Sequence, residues 1–318
     1  MLHLRAATLD DVERVAGLET AVTPDEPRDP VLLAFWWKHE PGAEKSTRWL
    51  AEHDGAAIMY VSATHGELKE RARFGSIRVR IHPDHWRETA YLDGVDRAES
   101  WLRSEGVETS FTRIREDIEP DIRVLTGLGY REIRRDRAWH LDLVRGRERL
   151  LATAERARAE MHRQGVRLLT LDQDADPDNL QKLYELDLET TEDVPKTVPW
   201  PVPTFDEWSQ HWFDHPGHRA DRFWIAREGE AIVGMSVIGY PPRIGNPWTS
   251  FTCTARKARG RGIARALKYE TVAQAIALGA ERVETSNDSE NAPILHLNAK
   301  MGYEPANSVL EMHRELRA

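Results

Sequence analysis

The chain has 318 residues but only one cysteine, Cys253. No internal disulfide is possible, and a reducing compartment is the expected setting. It has no run of about eighteen apolar residues, so no helix is expected to span a membrane. Its opening residues, MLHLRAATLDDVERV, hold no apolar stretch of signal-peptide length. A soluble, cytoplasmic protein with no membrane partner is therefore expected. Basic residues are the minority charge: 44 Lys and Arg against 53 Asp and Glu give a net charge of -9. That balance argues against a general nucleic-acid binder, which would carry a basic field. Core material is plentiful. Apolar residues make up 40% of the chain and eleven tryptophans are present, enough for about two ordinary domains.

The chain repeats itself. Val107–Ser110 (VETS) recur as Val283–Ser286, 176 residues later, and Gly129-Tyr130 recur as Gly302-Tyr303, 173 residues later. Two echoes in the same order at nearly one offset point to a tandem architecture. Each copy opens on a short strand, an acidic cap and an amphipathic helix. Two strands follow around a tight turn, at His53-Asp54-Gly55 and at Glu228-Gly229. Another strand, a long helix, the VETS strand, a helix and a last strand complete the copy. This is a mixed α/β pattern. The boundaries fall at 1–145, a charged helical linker at 146–165, and 166–318.

Basic residues concentrate in one place. Cys253–Lys268, CTARKARGRGIARALK, packs six of them with Gly260 and Gly262. The strand-like WTSFTCT precedes it and helical IARALKYETVAQAIAL follows, so the glycines stand where a strand turns into a helix. Unpaired N–H groups and a partial positive charge gather there. Glycine lets an anion approach the backbone, and Arg259 and Arg261 add guanidinium donors, which suits a pyrophosphate. A Walker A loop would end in Gly-Lys-Ser/Thr, where this chain has Gly262-Ile263-Ala264. A dinucleotide loop would carry a third glycine, where this chain has Arg265. As Arg-x-x-Gly-x-Ala (Arg259, Gly262, Ala264), the loop instead resembles the coenzyme A pyrophosphate loop of the GNAT acyltransferases. VETSNDSENAPILHLNAKMGYE is similar to the region that follows it in that superfamily, with Asn287 and Asn291 at the turn and helix start. Tandem members of this length include mycothiol synthases, whose layout is similar.

The resemblance implies two tandem GNAT-like domains, each a mixed, mostly antiparallel sheet flanked by helices. It also implies an enzyme, an acetyl-CoA-dependent N-acetyltransferase, that moves the acetyl group directly to the primary amine of a small molecule. The coenzyme-binding residues would be Thr252, Cys253, Thr254, Arg259, Gly260, Arg261, Gly262, Ile263, Ala264, Asn287 and Asn291. Glu284 is the first candidate base. Many members carry a tyrosine acid seven residues after the turn asparagine. The count from Asn291 falls on Asn298, an amide suited to contact the thiol or pantetheine. That departure leaves a non-catalytic acyl-CoA-binding or sensor protein as the alternative, and a basic-patch nucleic-acid binder as a third. Cys253 is either an acyl-accepting nucleophile or, more simply, a buried structural thiol. Asp187, Glu189, Glu192 and Asp193 either bind a cationic acceptor or form a solvated loop. Trp200, Trp208 and Trp212 line an acceptor pocket or pack in the core. His211, His215 and His218 have no metal-site spacing, and no metal is expected. The chain is expected to be a monomer or homodimer.

In the first copy, HPDHWRETAY replaces the glycine loop, with Glu88 or Thr89 opposite Gly262. A carboxylate at a helix start repels a pyrophosphate. The first domain is therefore expected to bind no coenzyme A, and to support the second and wall its acceptor cleft.

Overall fold

The computed structural model describes residues 3–39, 44–66, 73–199 and 202–316; Trp200 lies outside them. The first half contains β1 (Arg5–Ala6), α1 (Val12–Val22), α2 (Pro30–Lys38), β2 (Glu44–His53), β3 (Ala56–Gly66), β4 (Phe74–Ile81), α3 (Glu88–Ser104), β5 (Thr109–Arg115), α4 (Glu119–Gly127) and β6 (Arg131–Asp142). Helix α5 (Arg147–Arg163) follows. The second half contains β7 (Val166–Thr170), α6 (Asn179–Thr191), α7 (Phe205–Ser209), β8 (Phe223–Glu228), β9 (Ala231–Gly239), β10 (Trp248–Thr254), α8 (Ile263–Ala277), β11 (Arg282–Asp288), α9 (Ala292–Met301), β12 (Glu304–Pro305) and β13 (Val309–Glu315). None of the described helices is long and apolar enough to cross a membrane.

The two halves share one sheet. Its order is β1-β2-β3-β4-β5-β13-β6-β11-β10-β9-β8-β7, with β12 also on β6. Neighbours are antiparallel except β4–β5 and β10–β11, which are parallel. The last strand of each half is given to the other. β13 pairs with β5 (Met312↔Thr112) and β6, both from the first half, and β6 pairs with β11 (Thr285↔Trp139) of the second. Each exchanged strand buries its apolar face in the core of the half that receives it. Leu310 and Met312 of β13 enter the core of the first half, while Trp139 and Leu141 of β6 enter that of the second. The opposite face of the seam carries charge. Arg134 bridges Asp288 at 2.6 Å and Asp136 at 3.1 Å. Unpaired, these charges would be costly to bury, so a one-residue slip would be penalised on both faces. Residue 146 is thus a boundary of the chain but not of the sheet.

Helices α1, α2, α6 and α7 cover the front of the sheet, and α3, α4, α5, α8 and α9 the back. Helix α5 is no bare linker. Leu150, Ala154, Ala157 and Met161, at helical spacing, are buried, and Arg158 pairs with buried Glu270 of α8.

Candidate functional site

β10 and β11 share a single register pair, Trp248↔Glu284, and then part. The gap opens toward Thr252–Thr254 on one side and Ser286–Asp288 on the other. A bulge in β10 between Thr249 and Phe251 bends the strand at this point. The Ala255 N–H donates to Val233 of β9 at 3.0 Å. By strand alternation the Cys253 amide also faces β9, while those of Thr252 and Thr254 face the gap. Cys253 therefore leaves the set of backbone contacts predicted for the coenzyme. Its thiol is buried toward α6 near Thr190, and burial pushes its pKa up to about 12, which rules it out as a ready nucleophile. The Thr252 hydroxyl bonds that of Ser236 at 2.8 Å.

Past β10 the chain makes a 3-10 turn at Arg256–Ala258, then the glycine loop, then α8. Gly260 (φ +78°) and Gly262 (φ +84°) are both left-handed, and Gly262 is the N-cap of α8. A side chain would strain either position. The first hydrogen bond onto the helix start runs from the Ala266 N–H to the Gly262 carbonyl. The N–H groups of Ile263, Ala264 and Arg265 are thus left for a ligand. The two predicted arginines point away from this cradle. Arg259 pairs with Asp193 at 2.5 Å and reaches the Thr254 carbonyl, and Arg261 pairs with Glu228 at 2.9 Å. The guanidinium over the loop belongs to Arg265, 3.4 Å from where a Cβ on Gly262 would stand. Arg265 makes no ion pair within 4.0 Å among the described residues, though the Glu160 carboxyl of α5, held down chiefly by its Gln164 hydrogen bond, also feels its charge. Sequence reasoning passed over it, although a spacing of three places it on the same helix face as Gly262.

Of the acidic set, Asp187 and Glu189 lie in the last turns of α6, and Glu192 and Asp193 just beyond it are exposed; all four are engaged by groups of the chain itself. Glu189 accepts the Arg256 backbone N–H, Glu192 and Asp193 pair with the Arg256 side chain at 2.9 Å, and Asp187 receives the indoles of Trp208 and Trp212 at 2.7 and 3.2 Å. Arg256 and Arg259 hold the Asp193 carboxyl down at about 2. Trp208 and Trp212 are buried core residues. The histidines pack against aromatic rings where the halves meet, His215 edge-on to Phe35 and tilted to Trp36 of α2, and His218 stacked on Trp212. Burial holds His215 down at about 4 and His218 at about 3.

The predicted catalytic residues lie on opposite faces of the sheet. Glu284 is on the front, where it accepts from the Asn246 side chain at 2.8 Å; burial raises its pKa. Asp25, in the loop between α1 and α2 of the first half, raises it further. Asn287 lies within β11 instead of a turn, and Asn291 caps α9 without a side-chain bond. On the back, Asn298 is fully buried. Its amide donates to Asn287 Oδ1 and accepts from Lys268 Nζ, each at 2.7 Å. Lys268, also missed from the sequence, is 1% exposed and sits 4.9 Å from the centre of the Tyr303 ring. Tyr303 is a core residue.

The first half carries no such loop. Its His82 N–H donates to Ile58 as Ala255 does to Val233, and Gly94 packs on Met59 where Leu267 packs on Gly234. This register puts Thr89 opposite Gly262 and Glu88 opposite Arg261. Both first-half residues are already helical, so α3 starts where the second half has its loop.

Residues 179–303 match the model of the Acetyltransferase (GNAT) family. No curated protein matches the sequence. Among solved structures, a GCN5-related N-acetyltransferase from Sphaerobacter thermophilus aligns over 100% of this chain and 96% of its own, with 21% identity and TM-score 0.70. A tandem GNAT protein of the clavulanic acid biosynthesis pathway aligns over 99% and 98%, with 15% identity and TM-score 0.75. A GCN5-related glucosamine N-acetyltransferase region of a fungal GH3 beta-N-acetylglucosaminidase aligns over 99% of this chain and 38% of that one, with 12% identity and TM-score 0.71. At these identities the likeness speaks for the fold.

Proposed function

Since residues 179–303 match the GNAT acetyltransferase family model and the whole chain has the fold of tandem GNAT proteins, we propose that the protein transfers an acetyl group from acetyl-CoA to the primary amine of a small molecule, using the second half alone. The observation that carries this reading is the cradle at α8, with two left-handed glycines, open first-turn amides and Arg265 over them, beside the gap between β10 and β11. The pyrophosphate takes the α8 amides and the pantetheine enters the gap along Thr252 and Thr254. The thioester carbonyl is polarised by a gap-facing amide. The amine arrives on the front, where Glu284 accepts its proton; a carboxylate with a raised pKa is a better base near neutrality. Asp25 and Glu26 give the acceptor cleft a wall from the first half. One observation favours a second reading, a non-catalytic acyl-CoA sensor: Asn298 stands where the resemblance puts a tyrosine acid.

Isothermal titration with acetyl-CoA tests the site. Micromolar binding is expected, weakened roughly 100-fold or more by Gly262→Asp, which adds a strained side chain and a negative charge to the cradle. An unchanged affinity in Gly262→Asp would remove the assignment. Thiol release against a panel of amines then separates enzyme from sensor.

A further inference from the structure

Lys268 is a buried ammonium without a counterion. Among the described residues no carboxylate faces it: Glu270 on its own helix turns to Arg158, α9 offers Asn298, and the chain after α9 offers the Tyr303 ring. One amide oxygen and one aromatic face are poor compensation for removing the charge from water. Burial accordingly pulls its pKa down to about 7. The hydroxyls of Tyr303 and Thr249 lie nearby and close to each other, both buried, with no further partner among the described residues. This polar set lies on the back of the sheet, under the gap between β10 and β11.

The first half shows that packing does not require it. The N–H of Tyr130 donates to the Leu125 carbonyl as that of Tyr303 does to Asn298, so Leu125 and Asn298 are equivalent. The match of Gly94 with Leu267 likewise pairs Val95 with Lys268. Val95 and Leu125 are buried, and Tyr130 satisfies its hydroxyl on Ser110 at 2.6 Å and Glu99 at 2.9 Å. The same fold thus closes with an apolar pair in one half and a lysine–asparagine pair in the other.

Resting on the acetyl-CoA reading above, we propose that Lys268 is a positioning residue for the departing coenzyme A thiolate, acting through Asn298. Lys268 takes the Asn298 oxygen, which fixes the amide so that its NH2 group points the other way. One amide hydrogen goes to Asn287; the second has no partner among the described residues and is covered in this structure, and it goes to the sulfur once the coenzyme enters the gap. As the amine nitrogen bonds to the acetyl carbon, the carbon–sulfur bond breaks and its electron pair stays on sulfur. The nitrogen gives its proton to Glu284 or to water. The new anion is met by an amide donor that a cation polarises from behind.

The test does not need the acceptor. Coenzyme A is titrated into wild type, Lys268→Met and Lys268→Val/Asn298→Leu, the last copying Val95 and Leu125. Calorimetry measures binding, circular dichroism and thermal melting measure folding, and ultraviolet thiolate absorbance gives the acidity of the bound thiol. Lys268→Met leaves the buried Asn298 oxygen without its donor and is expected to melt somewhat lower, whereas Lys268→Val/Asn298→Leu replaces both partners with apolar volume and is expected to melt near wild type. The bound thiol is expected to be at least about tenfold more acidic in wild type than in either variant, one pKa unit or more. Equal thiol acidity in all three, with coenzyme A bound, would overturn the proposal while leaving the acetyl-CoA reading intact. If wild type fails to bind coenzyme A, both fall. Should one variant fail to fold, the other decides.

Discussion

The tyrosine after a left-handed glycine closes a helix in both halves, yet its hydroxyl meets opposite surroundings. Tyr130 is bonded to Ser110 and Glu99, among apolar Val95 and Leu125, and Arg314 from the exchanged strand β13 pairs with Glu99 at 2.9 Å. Tyr303 has only the Thr249 hydroxyl near its own, beside Lys268 and Asn298. The loops differ in the same sense. Helix α3 runs through the positions where the second half keeps Arg261 and Gly262 out of its helix. The first half has closed each opening that the second keeps. At these two places the first half satisfies its polar groups internally, whereas the second leaves the first-turn amides of α8 unpaired, at a cost in stability.

The largest effect should come from separating the halves. β13 pairs only with strands of the first half, and β6 only with strands of the second. A fragment of residues 146–318 is expected to lose cooperative folding, or to dimerise to recover its strands, and mixing it with 1–145 should restore the native state. Circular dichroism and size-exclusion chromatography decide this. An independently stable, monomeric 146–318 would show that the exchange is dispensable.

The helix–sheet contact is inverted between the halves, and this can be tested next. A Cβ on Gly94 would stand 2.5 Å from Met59 Cε and 3.0 Å from Val79 Cγ1. Gly94→Ala should destabilise the protein by about 1–3 kcal/mol in urea unfolding through overpacking. Met59→Ala in the same chain should restore part of that, as Gly234 makes room for Leu267. Additive losses would mean that the two sites do not share the space.

The seam should show in the pH dependence. Folded His215 and His218 are held neutral, with pKa values of about 4 and about 3, whereas an unfolded histidine titrates near 6.5. The unfolded chain binds these protons first. Their contribution is therefore complete above about pH 6.5 and lost as pH falls toward 4 and then 3, at roughly 1.4 kcal/mol per unit of displacement. His215→Asn should lose less of its melting temperature than wild type between pH 6.5 and 4. Parallel melting curves would contradict this.

The smallest effect concerns the acidic cover on the loop. Asp193→Asn weakens its hold on Arg256 and Arg259, both about half exposed, so their pairs are weak and screened. Acetyl-CoA affinity should rise about two- to fivefold at low salt and less at high salt. A loss of affinity would mean that Asp193 orders the loop for its ligand.

Sequence alone determined the tandem repeat, the element order in each half, and the glycine loop at the strand-to-helix turn. Those signals are local: period, turn chemistry and a strand-to-helix glycine act through neighbours a few residues apart. It also separated the halves, because a lost glycine is visible without coordinates. Tertiary structure alone decided which half owns the last strands, since β6 and β13 have the same alternation and either sheet could use them. It decided that Arg265, not Arg259 or Arg261, lies over the cradle, because ion pairing with Asp193 and Glu228 depends on segments far away in the chain. And it alone revealed Lys268. On a helix with apolar neighbours a lysine suggests a solvated side chain, and only the packing of α8 against α9 and the sheet shows that its charge is buried.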